Sequence, residues 1–265
     1  MSDESRPSPA RPPLEPARTP VAAVIPAAGR GVRLGPGAPK ALRALGGTPM
    51  LIHAVHSLAA SRHVSLVVVV APADGPAEVK SLLDAHALTG GPSGGGRGRT
   101  DFVVVPGGDT RQESVRLGLA AVPPEYGVVL VHDAARPLVP VDTVDGVIEA
   151  VRDGAPAVVP ALPLADTVKE VEPAAEPGAP ERVVATPERA RLRAVQTPQG
   201  FDRATLLRAH ETVTEDVTDD ASMVEQLGLP VVTVPGHEEA FKVTRPLDLV
   251  LAEAVLARRR LNDGY

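Results

Sequence analysis

Short runs of apolar residues recur along the chain from Val21 onward, and stretches with helical spacing lie between them. These runs are rich in valine and cover 21–26, 64–70, 101–105, 127–132, 156–161 and 230–235. Strands that helices cover on both faces read as continuous apolar runs, whereas strands with one solvated face alternate apolar and polar residues. The pattern therefore predicts an α/β fold with a mostly parallel central sheet.

Two of the intervening stretches carry signals for helix starts. Thr48-Pro49 places a proline at the first helical position, where its missing N–H costs nothing. Apolar residues then recur at helical spacing, at Leu51, Ile52, Val55, Leu58 and Ala59. Asp109 predicts the start of another helix, which runs to Ala121. The alternation of strands and helices continues over 21–260, which we interpret as a single domain.

The two ends of the chain differ from this pattern. Residues 1–20 contain six prolines among scattered charges. A segment of this composition buries too little apolar surface to offset the entropy lost on ordering. We therefore expect a disordered tail at 1–20, and a short C-terminal tail at 261–265.

One internal segment, 164–188, also interrupts the alternation. It predicts two short strands, 167–171 and 182–186, joined by a loop of Pro, Ala, Glu and Gly. An isolated two-stranded hairpin is marginally stable in water, and this one has few apolar residues to bury on its own domain. We expect a protruding arm that packs on a second copy of the chain and forms a homodimer. A surface insertion without a partner remains the alternative.

Composition excludes several classes of function. The formal net charge of −6 opposes binding of a nucleic acid, and aromatic residues, which stack bases, make up only 2% of the chain. The absence of cysteine excludes disulfides, thiolate metal sites and a cysteine nucleophile. No run approaches the roughly 18 apolar residues of a membrane span, and the N-terminus lacks a signal-peptide core. We expect a soluble cytoplasmic protein with neither a nucleic-acid nor a membrane partner.

The stretch "VIPAAGRGVRLGPGAPKAL", residues 24–42, places glycines and two cations directly after the first predicted strand. Leu34 breaks the dinucleotide-binding fingerprint, and Ala41 after Lys40 breaks the P-loop signature. Glycines nevertheless let backbone N–H groups approach an anion, and Arg33 and Lys40 can grip a polyphosphate from two sides. A tight turn with two solvated cations remains the alternative from the loop alone.

Six motifs occur in order over 21–260: "PAAGRGVRLGPGAPKAL", "PGGDTRQESV", "VHDAARP", "QTPQGF", "DDAS" and "FKVTRPLD". Together they resemble the sugar and polyol nucleotidyltransferases, and specifically the 2-C-methyl-D-erythritol 4-phosphate cytidylyltransferase family. The resemblance implies a three-layer, Rossmann-like nucleotidyltransferase fold. It also implies transfer of CMP from CTP to 2-C-methyl-D-erythritol 4-phosphate, with release of pyrophosphate, in the non-mevalonate isoprenoid pathway.

Two alternatives to this function stay open. A sibling enzyme for another polyol phosphate, such as ribitol 5-phosphate, would share the CTP loop and differ in the acceptor pocket. A silent nucleotide-binding protein would have no need to keep mutually repelling cations together, and Arg33, Lys40 and Lys242 are all present.

The implied reaction needs no side-chain nucleophile and no general base. A phosphate monoester loses its second proton near pH ~6, so the acceptor is already an anion at neutral pH. The difficulty is that two negatively charged phosphates must approach, which cations and a metal such as Mg²⁺ can offset. The resemblance implies that four cationic residues are catalytic: Arg33, Lys40, Arg189 and Lys242.

The remaining candidates are substrate-binding residues. The resemblance implies that Gly107, Gly108 and Ser114 read cytosine and that Ala27 and Ala28 supply backbone groups on its other side. A helix start with a tight turn is the alternative for 106–115. The resemblance also implies substrate contacts at Gly29, Ala134 and Thr197. Arg111 is either a pocket residue or a solvated helix charge.

Asp133 lies just beyond the C-terminal end of a predicted buried strand, where α/β sheets bind their ligands. It suits Mg²⁺ or the ribose hydroxyls, and since Mg²⁺ binds mainly through substrate phosphates and water, one carboxylate suffices. Arg136 can meet the phosphate of the second substrate. A turn cap before Pro137 is the alternative for Asp133.

The acceptor hypothesis rests on Lys242, Arg189 and Thr167. Lys242 is predicted at a strand end, before a helix that Thr244 caps; a lysine facing water is the alternative. Arg189 follows the arm and Thr167 lies on its outgoing strand, so an exchanged arm would carry both to the active site of the partner. An ordinary charged helix is the alternative for Arg189.

Overall fold

The computed structural model describes residues 19–29, 39–86, 100–174, 176–215 and 217–262. Arg33, most of the predicted N-terminal tail and the last three residues lie outside the described residues. The described strands are β1 (Val21–Pro26), β2 (Ala44–Leu45), β3 (Thr48–Pro49), β4 (Val64–Ala71), β5 (Asp101–Pro106), β6 (Val128–Val131), β7 (Ala157–Pro163), β8 (Glu170–Glu172), β9 (Arg182–Ala185), β10 (Arg193–Val195), β11 (Gln199–Asp202) and β12 (Val231–Pro235).

The helices flank these strands. They are α1 (Met50–Ala59), α2 (Pro76–Ala85), α3 (Arg111–Ala120), α4 (Val141–Arg152), α5 (Arg203–Thr212), α6 (Asp220–Gln226) and α7 (Pro246–Asn262). Short 3-10 helices occur at Lys40–Leu42, Arg189–Arg191 and Glu238–Ala240. Among the described helices, none combines the length and hydrophobicity that a membrane span requires.

The central sheet has the strand order β10-β7-β11-β6-β1-β4-β5, with β12 paired to β7. The β1–β4, β1–β6, β4–β5 and β7–β12 pairs are parallel. Only β10 and β11 run antiparallel to their neighbours within the described sheet. The predicted, mostly parallel sheet is therefore confirmed, and each predicted strand run lies within two residues of an observed strand.

Helices cover both faces of this sheet. Along β1, Ala23 and Ile25 pack into a core with α1, α2 and α4, whereas Ala22 and Val24 pack into a second core with α3, α5 and α6. All of Val21 to Ile25 is completely buried. The continuous apolar run follows from this burial on two sides, and the three-layer α/β prediction is confirmed.

Helix α3 lies unusually close to the sheet. A Cβ built at Gly118 would lie 2.5 Å from Cγ1 of Val24 and 2.7 Å from Cγ2 of Val70. Glycine is required here because any side chain would push the helix off the strands. This close contact fixes the N-terminus of α3, and with it Arg111, near the carboxyl ends of β1 and β4.

Several predicted boundaries differ from the structure. Pro49 precedes α1 rather than occupying its first turn, and α3 is capped by Thr110, whose side chain accepts from the N–H of Glu113, not by Asp109. Helix α7 continues to Asn262, two residues into the predicted C-terminal tail. The apolar packing of α7 on Leu45, Leu138 and Val243 reaches Leu256, and beyond it the Arg259 guanidinium donates to the Leu138 carbonyl at 2.7 Å.

The predicted arm is present as the β8–β9 hairpin, with shorter strands than expected. Thr167 precedes β8 instead of lying within it, so its placement on a strand is wrong. All residues of both strands are exposed, including Val171 at 38% and Val183 at 52%. Because neither strand packs on a core of its own chain, the hairpin lacks the burial that would extend it.

Candidate active site

A pocket of about 140 Å³ lies at the carboxyl end of β1. It is lined by Pro26, Ala27, Gly29, Lys40, Ala41, Asp133, Ala134, Ala135 and Lys242. Six predicted site residues thus meet in one cavity, and its two lysines come from opposite ends of the chain. A larger groove of about 670 Å³ between the first 3-10 helix and α2 has a mostly apolar lining and contains no predicted site residue. The smaller pocket is therefore the candidate for binding anions.

Backbone hydrogen bonds build the rim of this pocket. The N–H of Ala27 donates to the carbonyl of Val70 at 2.8 Å, which extends the β1–β4 pairing by one residue. Lys40 begins the 3-10 helix after Pro39, and the N–H of Leu42 donates to the Pro39 carbonyl at 2.8 Å. Lys40 therefore projects from an ordered turn rather than from an open loop.

The backbone of Asp133 is held by Thr197, which in turn contacts His132. Its N–H donates to Oγ1 of Thr197 at 3.0 Å, and Thr197 Oγ1 lies 3.1 Å from Nδ1 of His132. His132 is completely buried, and this burial lowers its pKa to about 4, so the ring is neutral at pH 7. Its Nε2 lies 3.1 Å from the Arg136 carbonyl and so carries the proton, which leaves Nδ1 to accept from Thr197.

The carboxylate of Asp133 lies between two cations. Oδ2 is 2.6 Å from Nζ of Lys242, and Oδ1 is 3.5 Å from Nε of Arg111. Burial works to raise the pKa of Asp133, but Arg111 and Lys242 outweigh it and hold that pKa far below its usual range. The group is therefore ionised, and its oxygens contact cations instead of capping the turn before Pro137.

Arg111, for which the sequence leaves a pocket residue and a solvated helix charge as alternatives, contacts two carboxylates. Its Nη1 donates to Oδ2 of Asp220 at 2.7 Å while its Nε faces Asp133. The side chain is 35% exposed and does not line the pocket, but its contacts with Asp133 and Asp220 mean that it is not a fully solvated helix charge. Its position at the start of α3, just after the Gly107-Gly108 turn, was a sequence signal for a pocket residue. Its pairing with Asp220 had no such signal, because Asp220 lies 109 residues further along the chain.

A second group of predicted residues meets where β5 ends. A Cβ built at Gly107 would lie 2.8 Å from Cβ of Ala28, 2.9 Å from the Ala71 carbonyl oxygen and 3.0 Å from Oγ of Ser114. The N–H of Gly108 donates to that same Ser114 oxygen at 3.2 Å. Only glycine at 107 allows this contact, so the turn after β5 packs directly on Ala28, between the pocket-lining residues Ala27 and Gly29.

Comparison with known sequences now decides the family. The sequence profile of the 2-C-methyl-D-erythritol 4-phosphate cytidylyltransferase family matches residues 21–258. The chain belongs to this family.

Individual relatives agree with that assignment. A 2-C-methyl-D-erythritol 4-phosphate cytidylyltransferase of Streptomyces coelicolor is 80% identical over 280 aligned positions, and one of Streptomyces avermitilis is 82% identical over 265, each covering 100% of both chains. The crystal structure of the Thermus thermophilus cytidylyltransferase has a TM-score of 0.65 at 36% identity, covering 89% of this chain and 98% of that one. A 4-diphosphocytidyl-2C-methyl-D-erythritol synthase structure from Anaerococcus prevotii has a TM-score of 0.72 at 27% identity, covering 90% and 99%.

The backbone next to Lys242 is held by a hydrogen bond to the loop after β6. The N–H of Val243 donates to the Ala135 carbonyl at 2.8 Å, which brings Lys242 beside the loop after β6. The residue follows a 3-10 helix and not a strand, so the predicted strand end is wrong. Thr244 does not cap α7 by accepting a hydrogen bond; its N–H and hydroxyl donate to Oδ2 of Asp248 at 2.7 and 2.8 Å.

Arg136 lies outside the lining of the pocket. Its Nη1 donates to the Ala240 carbonyl at 2.7 Å and its Nη2 to the Val195 carbonyl at 3.2 Å. These bonds tie the end of β10 to the segment that carries Lys242. A contact between Arg136 and a substrate phosphate stays a prediction.

The arm residues of this cytidylyltransferase also lie outside the pocket of their own chain. Thr167 and Arg189 are exposed, and the Arg189 guanidinium donates to the Ala165 carbonyl at the base of the arm. Neither residue lines the pocket. Within a single chain the structure therefore does not bring Thr167 and Arg189 together with Lys40 and Lys242.

A metal ion at this pocket would have one carboxylate of the lining, Asp133, as a ligand. The described parts of the chain contain no group of three or more His, Cys, Asp or Glu residues arranged for a metal ion. Asp133 is a single ionised carboxylate at the pocket. It fits Mg²⁺, which takes most of its ligands from phosphates and water and needs one or two carboxylates.

Proposed function

We propose that this pocket transfers the CMP unit of CTP to the phosphate of 2-C-methyl-D-erythritol 4-phosphate and releases pyrophosphate, a step of the non-mevalonate isoprenoid pathway. Membership of the cytidylyltransferase family supports the reaction class. The observation that carries the proposal is the shared pocket of Lys40, Lys242 and the ionised Asp133. Two fixed cations around one cavity suit a reaction in which phosphates meet.

The reaction is a single displacement at phosphorus. A phosphate oxygen of the acceptor attacks the α-phosphorus of CTP, a P–O bond forms, and the bond to the pyrophosphate oxygen breaks with its electron pair. The acceptor oxygen carries no proton to remove, since the monoester is largely a dianion above its second pKa of about 6. Catalysis then consists of positioning and of neutralising charge.

Each cation of the site has a defined part in this step. Lys40, with Arg33 of the same sequence motif, holds the triphosphate as negative charge builds on it. Lys242 stabilises the acceptor phosphate and the five-coordinate phosphorus from the other side. Asp133 keeps the Lys242 ammonium in place through the 2.6 Å contact.

In this proposal, cytosine and ribose bind beside the Gly107–Gly108 turn, next to the pocket. Ala28, Gly107, Gly108 and Ser114 would surround the base, supported by the close approach that Gly107 alone permits. Ala27, Gly29 and Ala134 line the pocket and would contact the nucleotide. Thr197 acts by holding the Asp133 backbone.

Mg²⁺ would be held by Asp133 and by the phosphates of CTP. When bound, the ion supplies further neutralisation of the triphosphate charge. The residues of the chain bind the nucleotide, orient the two phosphates and keep Lys242 in reach.

The homodimer completes the acceptor site in this proposal. The exposed valines of the arm support a partner surface, since a hairpin without a core is marginally stable alone. An arm exchanged across a twofold axis would deliver Thr167 and Arg189 to the pocket of the partner. Arg189 would then add a third cation to the acceptor phosphate.

A pyrophosphate-release assay tests the reaction and both specificities together. CTP is compared with ATP, GTP and UTP, each with 2-C-methyl-D-erythritol 4-phosphate and with ribitol 5-phosphate, in the presence of Mg²⁺. The proposal expects release only with CTP and the methylerythritol phosphate at appreciable rate. A strong preference for ribitol phosphate, or CTP binding without release, would overturn it.

A further inference from the structure

A buried acid–histidine pair lies behind Arg111, outside the pocket. The side chains of Asp220 and His210 are 1% and 2% exposed. Oδ1 of Asp220 is 3.1 Å from Nε2 of His210, and Oδ2 accepts from Nη1 of Arg111 at 2.7 Å. Neither residue lines the pocket, and the displacement at phosphorus uses neither of them.

This pair is costly for the fold. Burial works to raise the pKa of Asp220, but the hydrogen bond from His210 and the Arg111 guanidinium outweigh it, so the carboxyl has a lowered pKa and stays charged. A buried carboxylate paired with a cation, as Asp220 is with Arg111, contributes little net stability compared with apolar side chains of similar volume. His210 Nδ1 is buried and finds no hydrogen-bond partner among the described residues, which adds to the cost. The pair therefore needs a reason other than stability.

Arg111 provides the connection between this pair and the pocket. Its guanidinium is planar, so fixing Nη1 on Asp220 also fixes the direction of Nε. That Nε stands 3.5 Å from Oδ1 of Asp133, beyond a close hydrogen bond, while Oδ2 of Asp133 contacts Lys242 at 2.6 Å. Asp133 is thus shared unequally, with the shorter contact on the lysine.

We propose that Asp220, held by His210, is a positioning residue that keeps Arg111 back from Asp133 and so leaves Asp133 bound to Lys242. Without the carboxylate at 220, Arg111 turns to pair with Asp133 through two nitrogens, because Arg and carboxylate favour bidentate geometry. Asp133 then moves away from Lys242, whose ammonium no longer stands at the reacting phosphorus. The inference rests on the proposed role of Lys242.

The first test compares Asp220→Asn with Asp219→Asn. The amide at 220 keeps the shape of the carboxylate but loses its negative charge, and only its oxygen can still accept a hydrogen bond, so the hold on Arg111 weakens. Asp219 is the matched control because it caps the same helix, asparagine caps equally well, and its carboxylate contacts Gln199 and Ser222 but not Arg111. We expect Asp220→Asn to lower kcat about tenfold or more, as supporting residues of a site typically do.

The accompanying readouts separate positioning from folding. The KM for CTP is expected to change less than the kcat in Asp220→Asn, and Asp219→Asn is expected to keep the wild-type kcat, with both variants assayed well below their melting temperatures. Wild-type kcat in folded Asp220→Asn, or equal losses in both variants, overturns the inference.

A double-variant cycle tests whether Asp220 acts through Arg111. In the Arg111→Ala background, Asp220→Asn is expected to cause no further loss of kcat, since the guanidinium that it positions is gone. Loss of the same factor in both backgrounds would mean that Asp220 acts independently of Arg111, which contradicts the inference. Should Asp220→Asn fail to fold, His210→Gln carries the test in the same two backgrounds, because His210 holds the carboxylate that holds Arg111. It is expected to lose about tenfold in kcat with Arg111 present and to have no further effect in Arg111→Ala. Full kcat with Arg111 present overturns the inference.

Lys242→Ala distinguishes failure of this inference from failure of the proposed function. A slow Lys242→Ala enzyme together with a fully active Asp220→Asn enzyme refutes the positioning role alone. A fully active Lys242→Ala enzyme refutes the proposed role of Lys242, whatever Asp220→Asn does.

Discussion

Lys242 is ordered before any substrate binds. Its ammonium contacts Oδ2 of Asp133, and the N–H of the next residue, Val243, is tied to the Ala135 carbonyl. Charges that are fixed in advance stabilise a transition state without reorganising during the reaction. The Asp133 carboxylate also offsets one of the two lysine charges, so the pocket holds two cations at lower mutual repulsion until the phosphates arrive.

Replacing either lysine by alanine tests this arrangement. We expect folded Lys40→Ala and Lys242→Ala to lose about 10²-fold or more in kcat, by analogy with removal of one oxyanion donor. Lys80→Ala is the control, since Lys80 is exposed on α2, outside the pocket, and pairs with Asp84 at 3.0 Å. Near-normal turnover in Lys40→Ala, measured by pyrophosphate release, would contradict the assigned role.

The charged state of Asp220 predicts a pH dependence of stability. The folded-state pKa of Asp220 lies below its ordinary value of 3.8. Between the two values the unfolded chain binds more protons than the folded one, so this contribution is present above pH 3.8 and is lost as the pH falls through the folded pKa. Unfolding in urea between pH 5 and pH 2.5 should show a shallower decline for Asp220→Asn than for the unaltered chain. Parallel declines would contradict the prediction.

Single side chains differ in how far the sequence predicts them. Lys40, Asp133 and Lys242 belong to motifs at the edges of strands and helices, and the structure brings all three into one pocket. The partnership of Arg111 with Asp220 could not be predicted, because the two residues lie on different helices and meet only after packing. The roles of Arg33, Thr167 and Arg189 remain predictions.

Helix α3 is the element on which the geometry of the site depends most. It carries Arg111 and Ser114 in its first turns and lies against β1 and β4 at Gly118. A displacement of α3 would move Arg111 away from both Asp133 and Asp220.

Two glycine-to-alanine substitutions test this contact. Gly118→Ala is expected to destabilise the protein by about 1–3 kcal/mol, because its Cβ would overlap Val24 and Val70. Gly146→Ala in α4 is the control, since nothing lies within 4 Å of the added Cβ. It is expected to stabilise by about 0.5–1 kcal/mol through helix propensity. Equal urea midpoints for the two variants would contradict the close packing of α3.

The sequence predicts the bounds of a strand most closely where the strand is buried. Strands such as β1 and β4 are buried on both faces, so their apolar runs predict their bounds closely. The prediction makes the first arm strand too long at Thr167, because that segment is exposed among the described residues and lacks the burial that would extend a strand. The predicted cap of α7 at Thr244 also differs from the structure. Asp248, inside the helix, accepts hydrogen bonds from the N–H groups that precede it.

At the scale of the whole molecule, the pocket of one chain lacks the residues of the arm. Thr167 and Arg189 are exposed and lie outside the pocket lining, while the valines of β8 and β9 face solvent. An exchanged arm would cover these valines and bring both polar residues to the neighbouring pocket. The sequence signal for the arm is the break in the strand–helix alternation at 164–188.

Mixed dimers test the exchange. An Arg189→Ala subunit paired with a Lys40→Ala subunit should regain about one working site per dimer, since one pocket then combines a normal Lys40 with a normal Arg189 from the partner. Two affinity tags allow purification of the mixed species.

The mirror combination is the control for this experiment. A subunit with both substitutions, paired with an unaltered subunit, should have almost no activity if the arm is exchanged, because neither pocket is complete. If each subunit is self-sufficient, the results reverse: the mirror dimer keeps one working site and the first mixture has none.

The central claim is that the acceptor phosphate displaces pyrophosphate directly from the α-phosphorus of CTP. The chain supplies charge and position and forms no covalent intermediate. The stereochemical course at the α-phosphorus tests this most directly, using CTP with a single sulfur-substituted diastereomer at that atom. A single in-line displacement predicts inversion of configuration in the cytidine diphosphate product. Retention of configuration would mean two successive displacements through an enzyme-bound intermediate, and would contradict the account.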